Sequence, residues 1–208
     1  MPWFYTVGTT TMKTLLLTLT RWEVKGKENV PGGGPLIVVA NHLNLSDPPL
    51  LSASLPRKIT FMAKEELFNS WGGIFVRAFG AFPVRRGKLG KEAIRQGMRV
   101  LENGQALGMF PEGKRGLEYQ LNEGEMGVAF IALRTGVPIL PVGITGSENI
   151  KGPGVILQRP KITVTIGPPF SFPPGESKLS REKLAQATGT IMERIAEVLP
   201  PSYRGVYG

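Results

Sequence analysis

The feature that most constrains the fold is an alternation of short apolar runs with longer segments of helical spacing. The runs LIVVA at 36–40 and ALGMF at 106–110 have the length and the residue types of buried strands. Residues 91–103 and 125–134 repeat apolar side chains at helical intervals, and the segments are closed by Gly104 and Gly136. Strands that alternate with helices predict an α/β fold: a mixed, mostly parallel sheet covered by helices on both faces.

The same patterns place the remaining elements. Further strands are expected at 22–26, 58–63, 82–84, 139–144 and 162–166. Further helices are expected at 48–55, at 65–79 with an interruption at Gly72 and Gly73, and at 180–199. Pro141 marks the strand at 139–144 as an edge or bulged strand, because proline cannot donate a hydrogen bond to a neighbour.

Size and composition narrow the class of protein. With 208 residues, 41% of them hydrophobic, the chain is long enough for one domain with its own core. It has no cysteine and one histidine, which excludes disulfides, thiol nucleophiles, cysteine-based zinc sites and multi-histidine metal centres. The net charge of +9 favours an anionic partner, such as a nucleic acid, an anionic membrane or a phosphorylated substrate.

Residues 1–21 differ in character from the rest of the chain. Trp3, Phe4 and Tyr5 are aromatic types that favour the lipid headgroup boundary, and a leucine-rich patch follows them. This apolar stretch contains Lys13 and is shorter than the roughly 20 apolar residues of a membrane-spanning helix. We therefore expect residues 1–21 to form an interfacial, membrane-anchoring helix ahead of a domain at 22–208. The alternative is a first helix that simply packs on the domain.

His42 and Asp47 are the candidate catalytic pair. His42 follows the strand at 36–40, at the end of the sheet where α/β proteins place functional groups. Five residues along a regular helix would separate the two side chains by about 140°, so they can meet only across a loop. Such a loop would let the imidazole act as a general base oriented by the carboxylate. The structural alternative is that Asp47 caps the helix that begins near Pro48; one oxygen could cap while the other faces the ring.

Two further segments carry charges suited to an anionic substrate. Arg85 and Arg86 stand beside a glycine, and forked donors with close backbone approach suit phosphate, although a basic surface turn is the alternative. The second segment, FPEGKRG at 110–116, follows a predicted strand and offers one carboxylate and two cations. It is not a nucleotide-binding P-loop, because Arg115 stands where a hydroxyl should hold magnesium. We expect a substrate-binding loop, with a plain exposed loop as the alternative.

In this order, four blocks resemble those of the glycerolipid acyltransferase family. They are NH-x4-D at 41–47, FPVRRG at 82–87, FPEGKR at 110–115 and VPILPV at 137–142, within a resemblance that covers residues 22–170. The resemblance implies transfer of a fatty acyl group from acyl-CoA or acyl carrier protein to the free hydroxyl of 1-acyl-glycerol-3-phosphate, which forms phosphatidate. It implies a direct transfer without an acyl-enzyme, a metal or any cofactor beyond the acyl thioester itself.

The resemblance also implies a role for each matching residue. His42 would take the proton of the acceptor hydroxyl, Asp47 would orient His42, and Pro141 would shape the acyl-donor side. The expected acceptor-binding residues are Arg85, Arg86, Glu112, Gly113, Lys114 and Arg115. Arg85 and Lys114 stand where the family often has Asp and Thr, so we expect their added charge to favour a dianionic phosphate monoester.

The implied partners are a lysophospholipid, an acyl thioester and a membrane surface with anionic lipid, with no role for nucleic acid. Because acyl thioesters are made in the cytoplasm, the expected location is the cytoplasmic face of the cell membrane, peripheral or monotopic. Residues 65–79 are the candidate wall of an acyl-chain groove, with core packing as the alternative. Two other functions stay open: an acyltransferase acting on glycerol-3-phosphate or another lysophospholipid, and a non-catalytic basic module that binds nucleic acid or lipid.

Overall fold

A mixed sheet forms the centre of the computed structural model, which describes residues 2–69, 73–84, 91–113, 119–150, 158–173 and 179–208. Within these ranges the sheet has seven strands, in the order β1-β7-β6-β2-β5-β3-β4. Only the pairing of β6 with β7 is antiparallel among them. The strands are β1 (Arg21–Lys25), β2 (Leu36–Ala40), β3 (Ile59–Lys64), β4 (Phe82–Val84), β5 (Ala106–Met109), β6 (Ile139–Thr145) and β7 (Lys161–Ile166). The prediction of a mixed, mostly parallel sheet is confirmed.

Helices cover the sheet on both faces, as predicted. The described helices are α1 (Pro2–Leu19), α2 (Asp47–Ser54), α3 (Glu65–Phe68), α4 (Gly73–Ala78), α5 (Lys91–Glu102), α6 (Met126–Thr135) and α7 (Arg181–Glu197). The helical segment expected at 65–79 with an interruption at Gly72 and Gly73 consists of two short helices, α3 and α4, and α4 begins at Gly73. The C-terminal helix ends at Glu197, two residues before the expected end at 199.

Strand β2 shows how the two faces arise. Successive side chains of a strand point to opposite faces, and every residue of β2 is buried. Ile37 and Val39 pack into a core with residues of α6 and α7, whereas Leu36, Val38 and Ala40 pack into a second core with residues of α1 and α2. A continuous apolar run is therefore what this central strand requires.

Strand β6 lies inside the sheet, between β2 and β7, so the expectation of an edge strand is wrong. Pro141 is tolerated because of its place at the end of the antiparallel pairing. The ladder with β7 begins at Val142, and the Pro141 carbonyl accepts from the N–H of Gly167 at 2.9 Å. A separate bridge joins Ile139 to Phe170. The proline thus falls between two sets of backbone hydrogen bonds and interrupts neither.

Helix α1 packs against the domain along one side. Leu16 is buried, and the Tyr5 hydroxyl accepts a hydrogen bond from the N–H of Ile59 at 3.2 Å. The other side carries exposed apolar residues, including Trp3 and Leu17. No helix within the described ranges is both long enough and apolar enough to cross a membrane. The division of the chain into an anchoring segment at 1–21 and a domain at 22–208 stays a prediction.

Candidate active site

His42 and Asp47 meet beyond the carboxyl end of β2. His42 Nδ1 lies 2.9 Å from Asp47 Oδ2. Asp47 is fully buried, whereas the His42 side chain keeps 17% of its surface exposed. An ionised carboxylate oxygen only accepts hydrogen bonds, so Nδ1 carries the proton and Nε2 keeps the lone pair in the neutral ring. The pair can therefore take a proton from a hydroxyl at Nε2.

The loop between the two residues folds around a single oxygen atom. The N–H groups of Leu43 and Asn44 both donate to Asp47 Oδ2 at 2.7 Å, the same atom that faces the His42 ring. Three donors thus converge on one oxygen and hold the ring, the loop and the start of α2 together.

The expectation that Asp47 caps the helix is wrong. Ser46 is the N-cap of α2, and Asp47 is the first helical residue. The prediction that one carboxylate oxygen caps the helix while the other faces the ring is also wrong, because Oδ1 accepts no hydrogen bond from the residues that the structure describes. The loop turns back so tightly that its N–H groups reach the oxygen already facing the imidazole.

Asn41 fixes the backbone immediately before His42. Its side chain is 1% exposed and acts as an extra partner of β6. Asn41 Nδ2 donates to the Ile144 carbonyl at 2.9 Å, and the Ile144 N–H donates to Asn41 Oδ1 at 2.7 Å. The side-chain amide therefore continues the pairing of β2 with β6 past the end of β2, and it fixes the position of the backbone that leads into His42.

Phe110 supports the imidazole ring. The two rings stack with centroids 4.3 Å apart and an angle of 24° between their planes. They meet because β2 and β5 are parallel neighbours, with Val39 paired to Met109, so the residues after each strand emerge side by side. An apolar surface on one side of the ring restricts the orientations that His42 can adopt.

Glu112 lies behind the main chain of His42. Its carboxylate is 4% exposed, and Oε1 accepts a hydrogen bond from the His42 N–H at 3.0 Å. Oε2 accepts from both the backbone N–H and the side-chain amide of Asn122, at 3.1 and 3.0 Å. Both oxygens are thus engaged by the protein; the expected role in acceptor binding stays a prediction.

Gly113 turns the chain directly after Glu112. It adopts φ +66°, the left-handed region that glycine occupies without strain. Its N–H donates to the Phe110 carbonyl at 3.1 Å, and a Cβ at this position would lie 3.1 Å from Cγ of Glu125. The backbone geometry and the close neighbour both favour glycine here.

The structure does not test the roles of the other predicted site residues. Arg85, Arg86, Lys114 and Arg115 fall outside the described residues. Pro141 is buried within β6, paired with Val39, so it belongs to the sheet beneath the loops. The structure therefore brings His42, Asp47 and Glu112 together, while the roles of the other residues stay predictions.

The proposed acyl-chain wall at 65–79 divides into two kinds of side chain. Phe68 and Phe79 are each 8% exposed and belong to the interior, whereas Ile74 is 62% exposed. Trp71 lies outside the described residues. The segment thus includes core packing, and the groove stays a prediction.

Negative charge lies near Tyr207 in the C-terminal segment. Burial raises the pKa of Tyr207, and the carboxylates of Glu123, Glu193 and Glu112 add to the rise, against a hydrogen bond with the backbone of Gly124 that lowers it.

In the part of the chain that the structure describes, no three His, Cys, Asp or Glu side chains cluster in a way that could hold a metal ion.

Sequence reasoning missed the supporting roles of Asn41, Phe110 and Asn122. Asn41 and Phe110 lie inside recognised blocks, and their position just after two parallel strands was a usable signal. Asn122 lies in a polar stretch with no motif, and only the tertiary structure brings it to Glu112.

The chain is similar to known proteins both in sequence and in fold. The family model described as acyltransferase matches residues 21–145. A 1-acyl-sn-glycerol-3-phosphate acyltransferase of Bacillus subtilis is 31% identical over 179 residues, which cover 85% of this chain and 87% of the relative. A protein of the same name from Streptococcus pneumoniae is 33% identical over 167 residues, 76% of this chain and 61% of the relative. The crystal structure of the 1-acyl-sn-glycerophosphate acyltransferase of Thermotoga maritima matches with a TM-score of 0.68 and 27% identity, over 95% of this chain and 79% of that one.

Proposed function

The chain belongs to the acyltransferase family, and from this premise we propose that it acylates the free hydroxyl of 1-acyl-sn-glycerol-3-phosphate to form phosphatidate. The proposed donor is an acyl thioester, carried on coenzyme A or on acyl carrier protein. Relatives named for this acceptor span most of the chain and support this choice. Glycerol-3-phosphate and other lysophospholipids are the competing acceptors.

One observation carries the proposal: an imidazole, partly exposed, is hydrogen-bonded at Nδ1 to a fully buried carboxylate. In the proposed reaction Nε2 of His42 accepts the proton of the acceptor hydroxyl as the oxygen attacks the thioester carbonyl carbon. The C–S bond then breaks, the ester forms, and the imidazolium returns the proton to the departing thiolate. Asp47 holds the ring in the required tautomer and stabilises the positive charge that develops on it.

Arg85, Arg86, Lys114 and Arg115 are the proposed ligands of the acceptor's phosphate. The support is the sequence, which places four cations in two loops of a chain with a net charge of +9. Arg85→Glu should raise the KM for lysophosphatidate, and an unchanged KM would remove Arg85 from this role.

Peripheral binding at the cytoplasmic face of the membrane is the further part of the proposal, because the acceptor is a lipid and acyl thioesters are made in the cytoplasm. Helix α1 is the proposed contact. Trp3, Val7 and Leu17 are between 54% and 62% exposed on the side away from the domain. Trp3 also stacks on Phe4, with ring centroids 3.7 Å apart. Exposed aromatic and aliphatic side chains of this kind favour the lipid interface.

The threonines of α1 make the same side less polar than its composition indicates. The hydroxyls of Thr14 and Thr18 donate back to the carbonyls of Thr10 and Thr14, at 3.0 and 2.8 Å. A hydroxyl already satisfied within the helix does not need water for its proton, which lowers the cost of placing it against lipid.

The catalytic proposal is tested with purified protein, palmitoyl-CoA and lysophosphatidate in mixed micelles, following the release of free coenzyme A thiol. The chain has no cysteine, so the protein adds no thiol background. His42→Ala should reduce turnover by about 10²–10⁴-fold, the usual contribution of a general base. Asn103→Ala, an exposed substitution outside the site, should leave turnover unchanged.

Turnover that survives in folded His42→Ala would refute the mechanism. Absence of turnover in the wild type would refute the acceptor or donor choice, and the same assay with glycerol-3-phosphate or with acyl carrier protein as donor then separates these two.

The membrane proposal is tested by sedimentation with vesicles of phosphatidylglycerol and phosphatidylcholine. Replacing Trp3 and Leu17 by serine should weaken binding by at least about tenfold, because both apolar side chains would lose their lipid contact. Val206→Ser removes an apolar side chain that is more exposed than either of these, in the C-terminal segment, and should have no effect. Equal binding by all three proteins would refute docking through α1.

A further inference from the structure

His42 is held at two separate points. Asp47 holds the ring through Nδ1, and Glu112 holds the main chain through the hydrogen bond from the His42 N–H to Oε1. The second contact joins residues 70 positions apart and is nearly excluded from water, with Glu112 4% exposed. A buried carboxylate that accepts a backbone N–H fixes that backbone strongly, because the hydrogen bond is charge-assisted.

The position of Glu112 depends in turn on Asn122. Asn122 supplies two donors to Oε2, its backbone N–H at 3.1 Å and its side-chain amide at 3.0 Å. These donors set the rotation of the carboxylate, so that Oε1 is the oxygen that faces His42. Without the side-chain donor, Oε2 keeps one partner, and the carboxylate gains freedom to rotate away from the His42 N–H.

Asn122 is itself exposed, but its position is fixed from two directions. Its side-chain amide also donates to the Gln120 carbonyl at 3.2 Å. The preceding residue, Leu121, is buried and donates its N–H to the Tyr203 carbonyl at 2.9 Å. The C-terminal segment thus supports the loop that supports Glu112.

We propose that Asn122 is a positioning residue for the transferase reaction: through Glu112 it fixes the main chain of His42 and so places the general base. This inference rests on the proposed function for the identity of the reaction, whereas the contacts from Asn122 through Glu112 to His42 do not depend on it. It also assigns Glu112 a structural role beside the base, which predicts effects on kcat rather than on the binding of the acceptor.

The first test needs no substrate. Because His42 is the only histidine, protein labelled with ¹⁵N-histidine gives a single backbone amide signal. In Asn122→Ala the proton of this amide should exchange with solvent about tenfold faster than in the wild type, the factor expected for weakening one hydrogen bond to a charged group. Asn103→Ala, a matched asparagine substitution on the surface, should leave the exchange rate unchanged.

The second test is kinetic. Asn122→Ala should lower kcat by about tenfold, while the KM for lysophosphatidate stays within about twofold. Asn122→Asp keeps the shape of the side chain but opposes two carboxylates, so it should lose more activity than Asn122→Ala. A role limited to filling space would give the opposite order. In a Glu112→Ala background, Asn122→Ala should have no further effect.

The outcomes separate this inference from the proposed function. A wild type that is inactive on lysophosphatidate refutes the function alone, because the amide exchange still decides the inference. Unchanged exchange in Asn122→Ala, or a raised KM for the acceptor with unchanged kcat, would overturn the positioning role; the second result would make Glu112 an acceptor ligand.

Discussion

Replacing Asp47 by asparagine separates the charge of the His42–Asp47 pair from its shape. Three N–H donors point at Oδ2, from the His42 ring, Leu43 and Asn44. An N–H₂ group of asparagine at the position of Oδ2 would point its hydrogens at all three donors. The amide oxygen of Asp47→Asn must therefore occupy that position. The Nδ1–H tautomer should therefore survive in Asp47→Asn, and only the negative charge is lost.

The size of the loss follows from the geometry. An imidazolium and a carboxylate with charges about 4 Å apart interact by about 4 kcal/mol at an effective dielectric constant of about 20. Losing this interaction would lower the rate by at most about 10³-fold, because the proton is only partly transferred in the transition state and the ring carries less than a full charge. We expect Asp47→Asn to lower kcat by about 10²–10³-fold. Asp47→Ala also releases the ring and the loop, and should lower kcat further, up to the loss of about 10⁴-fold expected when the base itself is removed.

The assay is the thiol release described above, with the ¹⁵N spectrum of the single histidine ring as the control for the tautomer. The unfolding free energy of Asp47→Asn should also fall by about 1–3 kcal/mol, since the amide must bury an N–H₂ group at the Oδ1 position. A folded Asp47→Asn variant that is as inactive as Asp47→Ala, or one whose His42 ring has the other tautomer, would refute the claim that the amide oxygen replaces Oδ2.

Three further predictions concern the surroundings of the pair. Phe110→Ala should lower kcat by about tenfold by removing the stacking surface of His42, with Phe110→Leu recovering part of the loss; equal activity of both variants would contradict an orienting role. Asn41→Ala should lower the unfolding free energy by about 2–4 kcal/mol in urea titrations, because it leaves the buried N–H and C=O of Ile144 without their partner; a change under about 0.5 kcal/mol would contradict this account. Burial and a carboxylate acceptor raise the pKa of Tyr203 to about 12, so the folded state keeps a proton that the unfolded state loses from about pH 10 upward. Stability should therefore fall between about pH 10 and 12, and Tyr203→Phe should make that fall shallower; an identical pH dependence in both proteins would count against it.

The strands were predictable because their signal is local. A strand buried on both faces needs apolar residues at every position, and β2 and β5 show this directly in the sequence. The bounds of α5 and α6 could be predicted within one residue, because a helical stripe that ends at a glycine carries its own stop signal. Gly72 and Gly73 predicted the interruption of the segment at 65–79, and α4 begins at Gly73, but the end of α3 at Phe68 has no such signal.

Strand order was not predictable from the same signals. Pro141 indicated an edge or a bulge, yet β6 is an interior strand, because the proline lies where one set of backbone hydrogen bonds ends and another begins. That arrangement depends on β7 and on the bridge to Phe170, both distant in sequence. A propensity describes what a residue cannot do in a regular ladder, but only the neighbouring strand decides whether the ladder is regular there.

The sequence by itself determined the order of the elements and the spacing that allows His42 to meet Asp47, since both depend on residues within a few positions of each other. Only the tertiary structure decided which carboxylate oxygen holds the loop, which ring supports the imidazole and which side chains hold its backbone. Phe110 and Glu112 reach His42 because β5 lies beside β2, and Asn122 reaches Glu112 from a later part of the chain. Contacts across such distances follow from the pairing of strands, and no local pattern in the chain encodes that pairing.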